Sequence, residues 1–333
     1  MVDAAPGPSE DRARAFVAAR WGADAADSLM PAGAGEWSRA FAFRLAMPGE
    51  PVRETVIRFG RYRTDFVKDR IVGNLVRGPG APPGIPVPRV WEIGDTPWGH
   101  FVIAERAAGG YLDELDGAGM AAALPALLGA MDAVADLTPA GPGYGLWDAD
   151  GVAPHRTWRA ALLAVADEHP RTAGWRELLA SRPGPARVFR RGMHALDEAL
   201  ERIQRDWGDP VPRRIVHADL LNRNVLVDTG GAVTAVLDWG NALYGDFAYD
   251  LAWLQFWWPW YPAWSTIDIR GGIEQQLDRA GRRPADLDAR LVAYRWHIGL
   301  DSLTYQAFTR RWNLLDRVAD QLDDLLRHPR AAG

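Results

Sequence analysis

Residues 10 to 30 set alanine, arginine and apolar positions at helical spacing, with Pro31 as the expected stop. The period then changes. Gly33 to Ser38 is a run of mostly small residues, and Arg39 to Leu45 alternates like a half-buried strand. Glu54 to Phe59 reads as another strand, Asp65 to Arg70 as the opening of a helix, and the proline-rich stretch Pro79 to Pro88 as a stiff connection from helix to strand. His100 to Gly110 predicts a buried strand running out into a linker. Beyond Gly110 helical periodicity dominates, over Ala121 to Leu137, Thr157 to Ala166 and Arg187 to Trp207. Strands early and helices late predict an α+β chain of two lobes.

Two short apolar runs interrupt the helical part. Val225 to Val227 and Val233 to Leu237, separated by a short turn at Asp228 to Gly231, predict a hairpin. Its ends carry chemistry. The order His217-x-Asp219-x4-Asn224 places a candidate base at one end of a short loop and an oxygen ligand five residues later, and the second run ends at Asp238. Folding the hairpin brings Asn224 and Asp238 together, and one amide with one carboxylate is a hard-oxygen set of the kind that nucleotide-bound Mg²⁺ takes. In-line phosphoryl transfer needs an aligned hydroxyl and neutralised phosphate charge, so Asp219, Asn224 and Asp238 supply its requirements. Each aspartate alone also fits an ordinary turn residue; spacing and flanking strands set the three apart. His217 reads as a buried, hydrogen-bonded support.

Composition narrows the classes. The 333 residues are 48% hydrophobic and 24% charged, enough for one large domain or two modest lobes. The first residues lack a basic and then apolar leader pattern, so a cytoplasmic protein without a membrane partner is expected. Cysteine is absent, which removes disulfides and thiolate metal sites. A net charge of −5 with no long basic run argues against a nucleic-acid partner.

The run His217-Ala-Asp-Leu-Leu-Asn-Arg-Asn-Val-Leu-Val227, followed by Ala235-Val-Leu-Asp-Trp-Gly240, resembles the catalytic and metal-binding loops of the aminoglycoside phosphotransferase family. Gly35 to Phe43, Val56 to Phe59, Lys68 to Arg70, Ile85 to Val90, Thr157 to Arg159 and Ile298 to Asp301 extend the likeness, which is greatest to the hygromycin B phosphotransferase branch. The resemblance implies a bilobal protein-kinase-like fold, with a nucleotide-binding lobe over residues 1–106 and a catalytic, substrate-binding lobe over 107–333. It implies ATP or GTP with Mg²⁺ as cofactors and a small-molecule hydroxyl acceptor, an aminoglycoside or, as alternatives, a nucleoside or other sugar-containing antibiotic or a small metabolite; a catalytically silent nucleotide-binding module is the further alternative. Monomer or dimer stays undecided.

Kinases of this kind hold the nucleotide phosphates with a strand lysine oriented by a helical glutamate. Here the sole lysine is Lys68, and the corresponding strand offers Arg58, with Asp69 as its expected partner. A guanidinium can take the phosphate role with changed geometry, while a solvent-facing strand arginine is the plainer alternative. Backbone amides and the Ser38 hydroxyl in the Gly33 to Ser38 loop are expected to approach phosphate, unless the loop is a simple turn. The family's hinge, carried across, places Ile103 behind the adenine and offers main-chain groups of Ala104 and Arg106. A polycationic acceptor calls for carboxylates, for which Asp268 and Asp301 are candidates. Trp239 and the run Trp253 to Trp264 offer faces for a ring, with core packing as the plainer reading of the run. Asp250 is expected to support the catalytic loop.

Overall fold

The computed structural model describes residues 7–46, 51–82, 84–207 and 211–328. The first helical stretch is shorter than its periodicity suggests. Ser9 caps α1 (Glu10–Trp21), and Gly22, at φ 94°, ends it in a conformation that only glycine adopts freely. After α2 (Ala23–Asp27) the chain turns into β1 (Met30–Ala34) instead of continuing as helix.

β1 pairs with β2 (Ser38–Ala46), and β3 (Val52–Gly60), β4 (Val90–Thr96) and β5 (Gly99–Glu105) complete an antiparallel sheet in the order β1-β2-β3-β5-β4. Strand alternation sends Phe41, Phe43, Ile57, Phe59, Phe101 and Ile103 to one face, where they bury against Ala13 and Val17 of α1. This small core is separate from the main one. The helix between β3 and β4, α3 (Arg63–Leu75), instead contributes Val72 to the main core.

That main core belongs to the second half of the chain. β6 (Gly110–Tyr111) leads into α4 (Gly117–Val134), β7 (Gly145–Leu146), α5 (Trp158–Leu163), α6 (Trp175–Ala180) and α7 (Pro183–Trp207). Then come β8 (Arg214–Val216), β9 (Val225–Val227), β10 (Val233–Val236), β11 (Leu243–Gly245), α8 (Ala248–Trp257), α9 (Ile269–Arg279), α10 (Leu287–Phe308) and α11 (Trp312–Arg327). Two three-stranded sheets, β10-β9-β6 and β7-β11-β8, carry the loops of interest. α10 is buried along most of its length, from Leu291 to Ala307, among α6, α7, α8 and α11. By length and composition α4 could cross a membrane, but Met120, Ala123, Leu124, Leu127 and Leu128 pack into this core.

The proline-rich connection is anchored. Ile85 and Val87 are buried, and Pro86 O accepts the Val236 N–H at 2.7 Å, so the strut docks along β10. Gly109, at φ 138°, lets the linker press onto β9 and β10, where a Cβ would stand 2.8 Å from Val227 O.

Candidate active site

β9 and β10 pair antiparallel, with Val225 opposite Val236, and the ladder runs one rung further, Leu237 N–H donating to Asn224 O at 2.7 Å. Asn224 and Asp238 therefore leave the same end of one hairpin. The Asn224 amide donates to Asp219 O at 2.8 Å, which fixes its plane and leaves its own oxygen without a protein donor among the described residues. Asp238 sits at φ 58°, its carboxylate accepting from Gly240 N–H at 3.4 Å and half open to solvent.

Backbone strain gathers here. Ala218, Asn222 and Arg223 also lie at φ 59–69°, a region that costs non-glycine residues free energy and persists only where surroundings impose it. Asp250 imposes it on one side: its two carboxylate oxygens accept the N–H groups of His217 at 2.9 Å and Ala218 at 2.8 Å. Burial pushes Asp250 up to about 6, against those two bonds. His217 acts on the other side. Its Nδ1 accepts the Asp219 N–H at 3.2 Å, so Nε2 holds the proton and donates to Leu237 O at 2.9 Å. Burial draws this imidazole down to about 4, and its ring lies 4.6 Å from that of Trp239.

The Asp219 carboxylate accepts from the Asn222 amide at 2.6 Å and from the Asn241 amide at 3.3 Å. Burial pushes it up to about 8; Asn222 and Asn241 oppose that rise, and the nearby Asp238 charge adds to it. Neither asparagine stood out in the sequence, though Asn241 directly follows the Asp238-Trp-Gly motif.

Arg58 and Asp69 do meet. The guanidinium lies 3.2 Å from Asp69 and 3.8 Å from Asp238, over the ring of Phe66, with its buried Nε unpartnered. Burial works against the Arg58 charge, but Asp238, Asp69 and Asp65 outweigh it and raise its pKa. Asp69 is pushed by burial to about 6, with Arg58 holding it down, and it also accepts the Trp239 N–H at 2.8 Å. Lys68, one residue earlier on α3, is 1% exposed. It donates to Gly240 O at 2.8 Å and Ala242 O at 2.9 Å, and burial draws it down to about 7.

Ser38 opens β2 opposite Gly60, and its carbonyl accepts the Gly35 N–H at 2.9 Å to close the Gly33 to Ser38 turn. Glu36 of that turn pairs with Arg311, and Trp37 faces Phe308 with the rings 12° from parallel. Ile103 is fully buried in β5. In the adjoining main chain Ala104 lies in register between Val56 and Val90, and Arg106 N–H reaches Glu54 O at 3.4 Å. That last bond is at the long limit, so a base edge would have to replace it.

The acceptor side divides the candidates. Asp301, on α10, keeps exposed surface, although desolvation by the packing around it pushes its carboxyl up to about 6. Its carboxylate has no partner among the described residues. Asp268 is exposed and caps α9 by accepting the Gly271 N–H at 2.8 Å, a structural duty. Trp239 is a correction: its side chain is wholly buried and its indole donates to Val236 O, so no face remains for a substrate ring. Of the tryptophan run, Trp258 and Trp264 are core residues, while Trp253 and Trp257 are half-buried with unpartnered indole N–H groups. Sequence reasoning missed Asp113, which accepts the Arg223 N–H at 3.2 Å, and Tyr261, pushed up to about 12 by burial and by the charges of Asp113 and Asp219. No spacing pointed to either. A cavity of about 440 Å³ lined by Tyr144, His155, Arg156 and Arg213 includes none of these residues.

Among the described residues no three His, Cys, Asp or Glu side chains gather into a metal cage. Asn224 and Asp238 are hard oxygen donors with one oxygen unspent and one carboxylate open, which suits a cation completed by phosphate oxygens and water.

A small antiparallel sheet followed by a mainly helical body, with Asp219, Asn224 and Asp238 on adjoining loops, defines a protein-kinase-like phosphotransferase of the α+β class. The chain belongs to the phosphotransferase enzyme family, whose profile matches residues 80–287. It is 34% identical over 291 residues to hygromycin-B 4-O-kinase of Escherichia coli, 85% of this chain and 76% of that protein. A crystal structure of a thermostable mutant of aminoglycoside phosphotransferase APH(4)-Ia, in ternary complex with AMP-PNP and hygromycin B, superposes with a TM-score of 0.71. That match has 30% identity and covers 96% of this chain and 99% of the other. A spectinomycin phosphotransferase, 12% identical with a TM-score of 0.57 over 95% of this chain and 94% of its own, shares the fold.

Proposed function

We propose that this enzyme transfers the γ-phosphoryl group of ATP to a hydroxyl of an aminoglycoside of the hygromycin B type. One observation carries the reading: Asp219, Asn224 and Asp238 converge at the end of one hairpin, with Asn241 bridging from the Asp238 turn to the Asp219 carboxylate. The relatives named hygromycin-B 4-O-kinase and APH(4)-Ia support the acceptor class.

In this reading residues 1–106 form the nucleotide-binding lobe and 107–333 the catalytic lobe. Asn224 and Asp238 would hold Mg²⁺, which would neutralise phosphate charge. Arg58 meets the phosphates, with the Ser38 turn beside them and Ile103, Ala104 and Arg106 at the base. Asp219 accepts the hydrogen bond of the acceptor hydroxyl, aligns it, and receives its proton late in transfer. Asp219 must be ionised to take that proton, and the Asn222 and Asn241 amides that donate to its carboxylate favour that form against the desolvation of its surroundings. Asp301, with Asp113, offers negative charge to an acceptor amine.

The test is incubation of the purified enzyme with Mg²⁺-ATP and a panel containing hygromycin B, other aminoglycosides, nucleoside antibiotics and homoserine, read by ADP release and product mass. Phosphorylated hygromycin B is expected, with Asp219→Asn turning over about 100-fold more slowly or worse. Wild-type turnover in that variant would remove the base assignment, and phosphorylation of another acceptor alone would remove the substrate assignment.

A further inference from the structure

Of the 38 cationic Lys and Arg side chains, Lys68 is the only lysine, and it is buried where the others are mostly at the surface. Burying an ammonium is costly unless its donors are satisfied. Here two of them go to main-chain carbonyls of a single turn, Gly240 O and Ala242 O, and the face of Trp147 lies 4.7 Å away. A compact point charge with rotatable donors fits that space, whereas a planar guanidinium fork does not reproduce the two contacts from the same Cα.

The turn it grips is the one that matters. Asp238 begins it in a left-handed conformation, and Asn241 within it donates to Asp219. Neighbours on α3 complete the grip. Asp69 takes the Trp239 N–H at 2.8 Å, and Asp65 lies so close that a Cβ on Gly240 would stand 3.0 Å from its carboxyl carbon. Asp65 is itself held by Arg171 through two bonds of 2.8 and 3.2 Å. These contacts tie α3 to the helical body.

We propose that Lys68 is a positioning residue that clamps the turn Asp238 to Ala242, and so sets in one rigid piece the Asp238 carboxylate and the Asn241 amide that orients Asp219. This rests on the function proposed above and assigns the sole lysine a part in divalent-cation affinity at a distance from the cation.

Lys68→Met and Lys68→Arg test it. The metal concentration giving half of the thermal protection by Mg²⁺-AMP-PNP is expected to rise about 10- to 100-fold in Lys68→Met, the scale usual for a lost outer support of a metal ligand, with turnover falling alongside. Binding of AMP-PNP without metal should stay near wild type, and Lys68→Arg should not rescue. Wild-type metal dependence in Lys68→Met, or equal weakening with and without metal, overturns the proposal. Should that variant not fold, ¹⁵N-lysine labelling of the wild type gives a single side-chain signal. A protected ammonium resonance that moves on adding Mg²⁺-AMP-PNP supports the clamp, and one that does not move overturns it. Asp219→Asn separates the two readings: if it is inactive while Lys68→Met is normal, only the clamp fails.

Discussion

Arg58 and Asp69 form a partly buried pair at 3.2 Å, and the same carboxylate receives the Trp239 N–H, so one aspartate serves both the Arg58 guanidinium and the turn carrying Asp238. The two duties separate by substitution. Asp69→Ala leaves a buried N–H unmet and the Arg58 guanidinium with only the longer contact to Asp238, and is expected to cost about 3 kcal/mol of stability, the low end for breaking a buried pair. Asp69→Asn keeps an acceptor for Trp239 while losing the charge, so it should unfold less readily than Asp69→Ala yet share its weaker nucleotide binding. Arg58→Ala should raise the KM for ATP with a smaller loss of stability. Urea unfolding and nucleotide titration on the three variants check this, and equal KM values in Arg58→Ala and wild type would return Arg58 to a purely structural role.

Asp250 governs the other loop. Its two oxygens hold consecutive N–H groups at His217 and Ala218, the second of them in a left-handed conformation. Asp250→Ala leaves two buried donors unmet, at about 1–3 kcal/mol each. Loss of about 2–6 kcal/mol is therefore expected, together with lower turnover because Asp219 follows directly. Asp250→Asn retains one acceptor and should lie between. Differential scanning calorimetry beside initial rates distinguishes the outcomes; an Asp250→Ala protein as stable as wild type would mean the loop holds its shape unaided.

These local devices explain what the sequence could and could not reveal. The hairpin bearing Asn224 and Asp238 was legible because Val225 to Val227 and Val233 to Leu237 are mainly apolar runs with a turn between them, and period decides strands. Arg58 with Asp69 was legible because strand and helix follow one another along the chain. Contacts formed by distant segments left no trace: Asn241 on Asp219, Lys68 under the Gly240 turn, and Arg171 on Asp65 depend on tertiary packing alone. Trp239 misled because an aromatic beside a motif aspartate reads equally as platform or as wedge, and here it is the wedge beneath His217. The early helix ran too far because alanine-rich periodicity continues past Gly22, where backbone geometry, not side-chain pattern, makes the break.

Asp301 yields a pH-dependent expectation whose sign follows from its surroundings. Burial pushes its carboxyl up to about 6, above its ordinary value of 3.8, so the folded protein favours the neutral form. As pH rises from 3.8 towards 6 the folded protein loses the advantage of its retained proton and stability falls, levelling off above 6; ionisation leaves a negative charge with no cationic partner among the described residues. A substrate amine that remains protonated in this window supplies that cation. The KM for hygromycin B is therefore expected to fall between pH 5 and pH 7, while thermal stability without substrate falls slightly. Asp301→Asn should flatten both trends and raise KM at pH 7 by about tenfold, as loss of one desolvated charge contact of about 1.4 kcal/mol requires. Steady-state kinetics of both proteins across that range, at saturating Mg²⁺-ATP, provide the measurement. If KM in Asp301→Asn matched wild type at pH 7, the acceptor amine would have to be met elsewhere, and Asp113, on the Asp219 side of the site, would be the next carboxylate to replace.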